Sequence, residues 1–434
     1  MYLLNSLLHF LTKWGTICCI NDIWRYIMDI QSIMRIFDDT AYVRMGGRPE
    51  ELKAAEYLKS RCAELGYEAK IESFPVQMAD IQEATLTVDG SEIPCKGYLN
   101  AGSGEVEAPF YYLRGTDPYS LSLCKGKIVM IDGYLGYWIY RDILDNGAVG
   151  FITYDGHVNY ADRDIDQREL RSQVHNGDKI PGVNINVKDA IKLIESGAKT
   201  AKIVLKQEEY EGQSWNVILD LPGEIDETIV LTAHYDSTSL SNGAYDNMSG
   251  SAGIFGVAQH FAKNPHRRSL RFIWCGSEER GLLGSKAYCA NEENLKNIVL
   301  NINLDMIGSV MGKFITCVSA EEKLLHYIGY MGSELGFPVT GRQDVYASDS
   351  TPFADKGVPS LSFARLAPNN TGTIHNSYDT AALLCAEQME ADIEFITAFT
   401  ARMANAVRCP VDRTIPEKVK ESLDYYLCRK RRPQ

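Results

Sequence analysis

Eight residues of this chain pair a metal-binding or acid–base side chain with a position just past an apolar, strand-like run. His234 and Asp236 follow "TIVLTA", and Asp246 sits in "GAYDNMSG", ahead of a helix starting near Ser249. Glu278 and Glu279 follow "RFIWCGS", Asp305 follows "IVLNINL", and His375 and Asp379 stand in "TIHNSYDT", beyond "PSLSFA". Only eight histidines occur in the sequence, so two of them falling in this series is a specific signal. Imidazole nitrogen with carboxylate oxygen and no thiolate suits Zn2+, with Co2+ or Mn2+ as substitutes. Two histidines, two aspartates and at least one glutamate exceed the three protein ligands of a single catalytic zinc. Two ions sharing one carboxylate account for the number, each taking a histidine, a terminal carboxylate and half of the bridge. Such pairs activate water and polarise a carbonyl.

The adjacent glutamates admit two readings. Acidic residues favour the first turn of a helix, where N–H groups are unpaired and the dipole is positive, so Glu278-Glu279 could cap a helix over 282–290. Alternatively, one glutamate binds metal while the other takes a proton from water. Neighbouring side chains on a regular strand point to opposite faces, so both reach one site only if Gly276 and Ser277 break the strand. Asp379 reads better as a hydrogen-bonding turn residue than as a ligand. His157, His175, His260, His266 and His326 are assigned no role, and HExxH, GxSxG and GxGxxG are absent.

The elements that must position these residues alternate. Strands are predicted at 214–220, 228–234, 269–275, 298–304, 313–318 and 358–363, with helices at 249–263, 282–290, 320–335 and 380–407. This alternation predicts an α/β, mainly parallel sheet covered on both faces, whose ligands bind at the carboxyl ends of its strands. Gly250, Gly253 and Gly256 recur every three residues and predict a close-packed helix face. Upstream, "RPEELKAAEYLKSRCAELG" predicts a helix with Pro49 at its start and Glu50 and Glu51 in its first turn. Two alternating runs near 68–76 and 82–88 predict strands. Residues 91–206 carry their own core pattern, with strands in "GKIVMID", "AVGFITY" and "AKIVLK", a helix over 187–195, and no catalytic cluster.

With 434 residues, 45% hydrophobic and 23% charged, the chain has room for two or three globular domains. Its net charge of −13 argues against a nucleic-acid partner, which needs cationic contacts to phosphate. The basic run Arg429–Arg432 reads as a solvated tail. Eleven cysteines without a CxxC pair suggest no disulfide framework and a reducing compartment. The leading segment 1–27 is apolar but carries Lys13 and no small-x-small cleavage site, so a cytoplasmic protein with an N-terminal extension and no membrane span is expected, export being the alternative.

The set "AHYDS…GAYDNMSG…GSEERGLLGS…NLDMIG…SDSTPF…IHNSYDT" closely resembles the co-catalytic zinc exopeptidases of peptidase family M28, over roughly 35–90 and 207–408. The resemblance implies a phosphorylase/hydrolase-like three-layer αβα fold with a mixed, largely parallel eight-stranded sheet. It divides the chain into a peptidase domain (28–90 and 207–408), an inserted protease-associated-like domain (91–206) and a tail (409–434). It also implies metal ligation by His234, Asp246, Glu279, Asp305 and His375, with Asp246 bridging and with His234 and Asp305 on different zincs. Glu278 is then the general acid/base, Asp236 orients His234, and Asp246-Asn247 is a cis peptide. The implied activity is aminopeptidase, acting on peptides with a free N-terminus. Two departures stand out: Ile374 occupies the place of an oxyanion-binding tyrosine, for which Tyr346 or Arg365 are the substitutes considered, and Ser350 replaces a histidine after Asp349. The alternatives are a single-zinc glutaminyl-cyclase-like acyl transferase, a non-catalytic binding protein on a peptidase scaffold, or a carboxypeptidase, which would need a cationic clamp for a terminal carboxylate.

Overall fold

The computed structural model describes residues 28–133, 135–369 and 371–432, so the extension read at 1–27 lies outside the described residues. A 14-stranded mixed sheet runs through the protein. Eight of its strands form the expected mixed sheet, in the order Thr340–Gln343, Lys313–Ser319, Ser360–Leu366, Ile298–Leu304, Ile225–His234, Arg268–Cys275, Thr200–Leu221 and Lys70–Val88. The three central strands, ending at Leu304, His234 and Cys275, are parallel. Their carboxyl ends therefore open on one edge, where the ligand series lies.

The core explains the order. Ile229, Leu231, Ala233, Phe272, Trp274, Ile302 and Leu304 are all fully buried, as expected for strands covered on both faces. Helix Ser249–Phe261 is buried along its whole length, and its glycines let it approach the sheet. A Cβ on Gly250 would lie 2.3 Å from the Leu304 carbonyl oxygen, and one on Gly253 would lie 2.5 Å from Ile307 Cδ1. The predicted glycine face thus seats this helix against the strand that presents Asp305.

Three sequence expectations change. The separate strands predicted near 68–76 and 82–88 are one strand, Lys70–Val88, with a bulge between Ile81 and Glu83. Those at "AKIVLK" and 214–220 are likewise one 22-residue strand, Thr200–Leu221, which continues through the largely polar stretch 207–213. Paired along their length, these two strands pass from the eight-stranded sheet into the 91–206 region, whose strands surround a second core that includes Ile128, Phe151, Val183 and Ile203. The basic tail is also not simply solvated. After helix Glu417–Tyr426, Arg429 pairs with Asp355 (2.6 Å) and Arg431 with Asp142 (2.6 Å). Arg431 also lies over the Trp138 ring, so the tail ties helix Tyr137–Asp145 of the 91–206 region to helix Ser350–Asp355. All nine described cysteines are free, and no helix among the described residues is long and apolar enough to cross a membrane.

Candidate metal centre

His234 is the last residue of strand Ile225–His234, and its imidazole is buried. Its Nε2 lies 3.2 Å from Asp246 Oδ1 and 3.9 Å from Asp305 Oδ1. The second Asp246 oxygen faces the other way, with Oδ2 3.1 Å from His375 Nε2, which also lies 3.1 Å from Glu279 Oε1. Two donor groups result, His234–Asp246–Asp305 and Asp246–Glu279–His375, each with its ligand atoms within 4.8 Å of one another. Asp246 belongs to both. The structure therefore corrects one expectation: His234 and Asp305 fall in the same group, because the parallel strands ending at His234 and Leu304 are direct neighbours.

Each donor is held through its backbone. Asp246 and Asn247 are joined by a cis peptide. Asp379 accepts the Tyr245 N–H (2.7 Å) and the Asp246 N–H (3.1 Å). Asn247 donates to the Leu304 carbonyl and accepts the Met306 N–H, fastening the Asp246 loop to the Asp305 loop. Asp236 accepts the Glu278 N–H (2.9 Å) and the Glu279 N–H (3.2 Å), so it fixes the turn carrying both glutamates. It also lies 3.4 Å from His234 Nδ1. Arg44, fully buried, donates to the carbonyls of Tyr235, Asn242 and Gly243 and braces the loop between His234 and Asp246.

The paired glutamates reach one cavity because the strand stops at Cys275 and Ser277 turns the chain through φ 51°, in the left-handed region. Glu51 supports that turn: its carboxylate accepts the Ser277 N–H (2.8 Å), the Ser214 hydroxyl (2.9 Å) and the Gly47 N–H (2.6 Å). In the sequence Glu51 reads only as a first-turn acid; its burial requires a distant strand that spacing does not reveal. Burial, and then Asp236, push the Glu51 carboxyl up to about 8. Asn216 holds both ends of the glutamate loop, accepting from the Gly276 N–H and donating to the Gly284 carbonyl. A Cβ on Gly276 would stand 2.4 Å from the Trp215 carbonyl oxygen and 2.7 Å from Glu51 Oε1. Gly276→Ala is therefore expected to cost about 1–3 kcal/mol of stability and to misplace both glutamates, as read by denaturant unfolding and metal content.

The electrostatics fit a bound cation. Burial raises Glu278 well above the usual carboxylate range, and Glu279, Asp349 and Asp305 reinforce this against the pull of His234. Burial and then Asp246 push Asp305 up to about 7. For Asp246, burial is outweighed by His234 and His375, which hold it below the ordinary range. His375, at the cavity mouth with its side chain 48% exposed, is pushed up to about 12 as Glu279 and Asp246 overcome the effect of burial. Asp305 Oδ1 is buried without a hydrogen-bond partner among the described residues, and Glu279 Oε1 is buried facing only the His375 ring. Carboxylates crowded together with an orphaned oxygen and two imidazoles make a donor set suited to divalent zinc.

The two residues considered in place of Ile374 separate. Tyr346 lines the cavity, and Asp305 and Asp246 are among the charges that hold its hydroxyl protonated, after burial. Arg365 instead makes a buried ion pair with Asp392 (2.5 Å), so its charge serves packing.

Residues 216–399 match peptidase family M28. The chain is 27% identical over 405 residues to the aminopeptidase YwaD of Bacillus subtilis (strain 168), covering 87% of this chain and 84% of that protein. It is 25% identical over 304 residues to a probable lipoprotein aminopeptidase, LpqL, of Mycobacterium tuberculosis, covering 65% and 58%. Among solved structures, the fold is similar to BSAP, a zinc aminopeptidase from Bacillus subtilis (TM-score 0.74, 23% identity, 91% of this chain and 100% of that one). It is also similar to an aminopeptidase from Aneurinibacillus sp. strain AM-1 (TM-score 0.70, 23% identity, covering 89% and 96%).

Proposed function

We propose that this protein, whose residues 216–399 match peptidase family M28, is a di-zinc aminopeptidase that removes N-terminal residues from peptides. The observation that carries the reading is the two-sided presentation of Asp246, one oxygen toward His234 and Asp305 and the other toward His375 and Glu279. Bound there, zinc would supply Lewis acidity toward the scissile carbonyl and lower the pKa of water.

The chain's own residues do the rest. Glu278 belongs to neither donor group yet lines the same cavity, with Oε2 3.9 Å from His234 Nε2. It accepts the proton of the attacking water and delivers it to the departing amine, a cycle one carboxylate completes without any other titrating group. Tyr346 offers its hydroxyl to the developing oxyanion, the part left open by Ile374. The acidic floor holds the substrate's ammonium and so confines cleavage to the first residue.

Removing the metal tests this directly. Dialysis against a chelator is expected to abolish release from aminoacyl-arylamides, and zinc to restore it, with elemental analysis giving about two zincs per chain. One zinc with no release from any arylamide would favour the cyclase-like reading, and no bound metal would leave Glu278-Glu279 as a helix cap.

A further inference from the structure

His375 is the least sheltered of the donors. Its side chain is 48% exposed, whereas those of His234, Asp246, Asp305 and Glu279 are at most 9% exposed. It also stands at φ 61°, in the left-handed region that residues with a Cβ adopt rarely. Within its own turn, Asn376 accepts the Thr373 hydroxyl (2.8 Å) and the Tyr378 N–H (3.0 Å). Asp379 fastens the far end of the turn to the Asp246 loop (3.1 Å). These bonds tie the turn at its base. Its outer residues, Ser377 and Tyr378, are gripped from a distant part of the chain.

The grip comes from a polar loop of the 91–206 region, over residues 157–167. Tyr160 packs on Tyr378 with ring centroids 4.6 Å apart, and His157 stacks on Tyr160 in turn (4.7 Å). Asp164 Oδ2 accepts the Ser377 hydroxyl (3.2 Å). Further along, the same loop holds the other ligand-bearing segment through Ser239, which stands between His234 and Asp246. The Ser239 hydroxyl donates to Asp166 Oδ1 (2.7 Å) and accepts the Gln167 N–H (2.7 Å). The loop is itself stiffened from beneath. The carbonyls of Tyr160, Ala161 and Asp162 accept from the Lys188 ammonium, that of Asp164 from Asn186 and that of Asp166 from Asn184. Asn184 and Asn186 are buried members of strand Gly182–Asn186, whose Val183 and Ile185 belong to the second core. An irregular loop with its carbonyls satisfied in this way is pre-organised, so its outward contacts order the partner turn at little further entropic cost.

We propose that loop 157–167 is a clasp that positions His375, and that the 91–206 region thereby sets how tightly the ion on the His375 side is retained. This rests on the two-zinc reading of the donor groups. Tyr160 and Asp164 are positioning residues, acting through Tyr378 and Ser377, three and two residues beyond His375. Without them the turn keeps its anchor at Asp379 but samples arrangements in which the imidazole turns away from Asp246 and Glu279. Binding the ion must then also order the turn, which weakens it. Removing Tyr160 and Asp164 leaves the Ser239 contacts in place, so the His234 group should not respond.

The test adds zinc to metal-free protein in competition with a chromogenic chelator, which gives the affinity of each ion. His375→Ala identifies the ion that depends on that ligand. In the double variant Tyr160→Ala with Asp164→Ala, the His375-side ion is expected to bind about tenfold more weakly, the other ion being unchanged. Tyr160→Phe keeps the ring and should bind both ions as the unsubstituted protein does. Backbone hydrogen exchange on the metal-free protein supplies a readout that needs no zinc. Amides over 374–379 should exchange faster in the double variant, and those of strand Gly182–Asn186 should not. Equal weakening of both ions, or further loss of zinc when the double variant is combined with His375→Ala, would mean general destabilisation and overturn the clasp. Two zincs with unaltered affinities in the double variant would overturn the clasp alone, whereas a single zinc on the unsubstituted protein would overturn the two-zinc reading and the clasp together.

Discussion

Glu278→Gln is expected to lower kcat by about 10²–10⁴-fold while leaving bound zinc at its full amount. The substitution preserves the shape of a side chain that lies outside both donor groups, and its backbone N–H stays fastened to Asp236. What it removes is the only function assigned to Glu278, that of accepting and returning a proton. Glu279→Gln is the informative contrast, because its carboxylate stands 3.1 Å from His375 Nε2 and should be lost as a ligand, reducing zinc content as well as rate. Steady-state kinetics with elemental analysis on the two variants checks both. Near-normal turnover by Glu278→Gln with zinc in place would remove the proposed acid/base from the mechanism.

Asp246→Asn is expected to have the broadest effect, since one carboxylate serves both donor groups. An amide offers a single neutral oxygen acceptor where two anionic oxygens are needed. Both zincs should be lost, and activity should fall by more than the roughly 10–100-fold that removal of an outer partner costs. His375→Ala touches one group only and should leave about one zinc per chain. A variant Asp246→Asn that retains two zincs would show that the bridge lies elsewhere.

Much of this was legible in the residues themselves. Helix 249–263 is observed as Ser249–Phe261, and strands 298–304 and 269–275 as Ile298–Leu304 and Arg268–Cys275. Buried parallel strands are near-continuous apolar runs, and residues that end them are brought together by topology, so the donor cluster could be assembled before any coordinates. The pairing within the cluster was not legible, because it depends on which strands are neighbours. Nor were the supports. Glu51, Asn216 and Asn247 act across 57 to 226 residues of sequence, through hydrogen bonds that leave no periodic trace.

The continuous hairpin of Lys70–Val88 and Thr200–Leu221 bears on how the chain can fold. Its strands pair from Val88 with Ala201 to Lys70 with Ile218, yet the stretch between them is nearly all of the 91–206 region. Closing more than a hundred residues of loose chain to form the first of those pairs is entropically slow. Folding of the second core removes that barrier, since it packs Leu86 and Val88 beside Ala201 and Ile203 and so closes the near end of the hairpin. The remaining pairs can then zip toward Trp215 and Val217, which sit next to the strand that ends in the glutamate turn. On this route the region between the two strands acts as the template on which the eight-stranded sheet completes itself, and a chain that keeps this region at full length but with its second core destabilised would be left with the slow search.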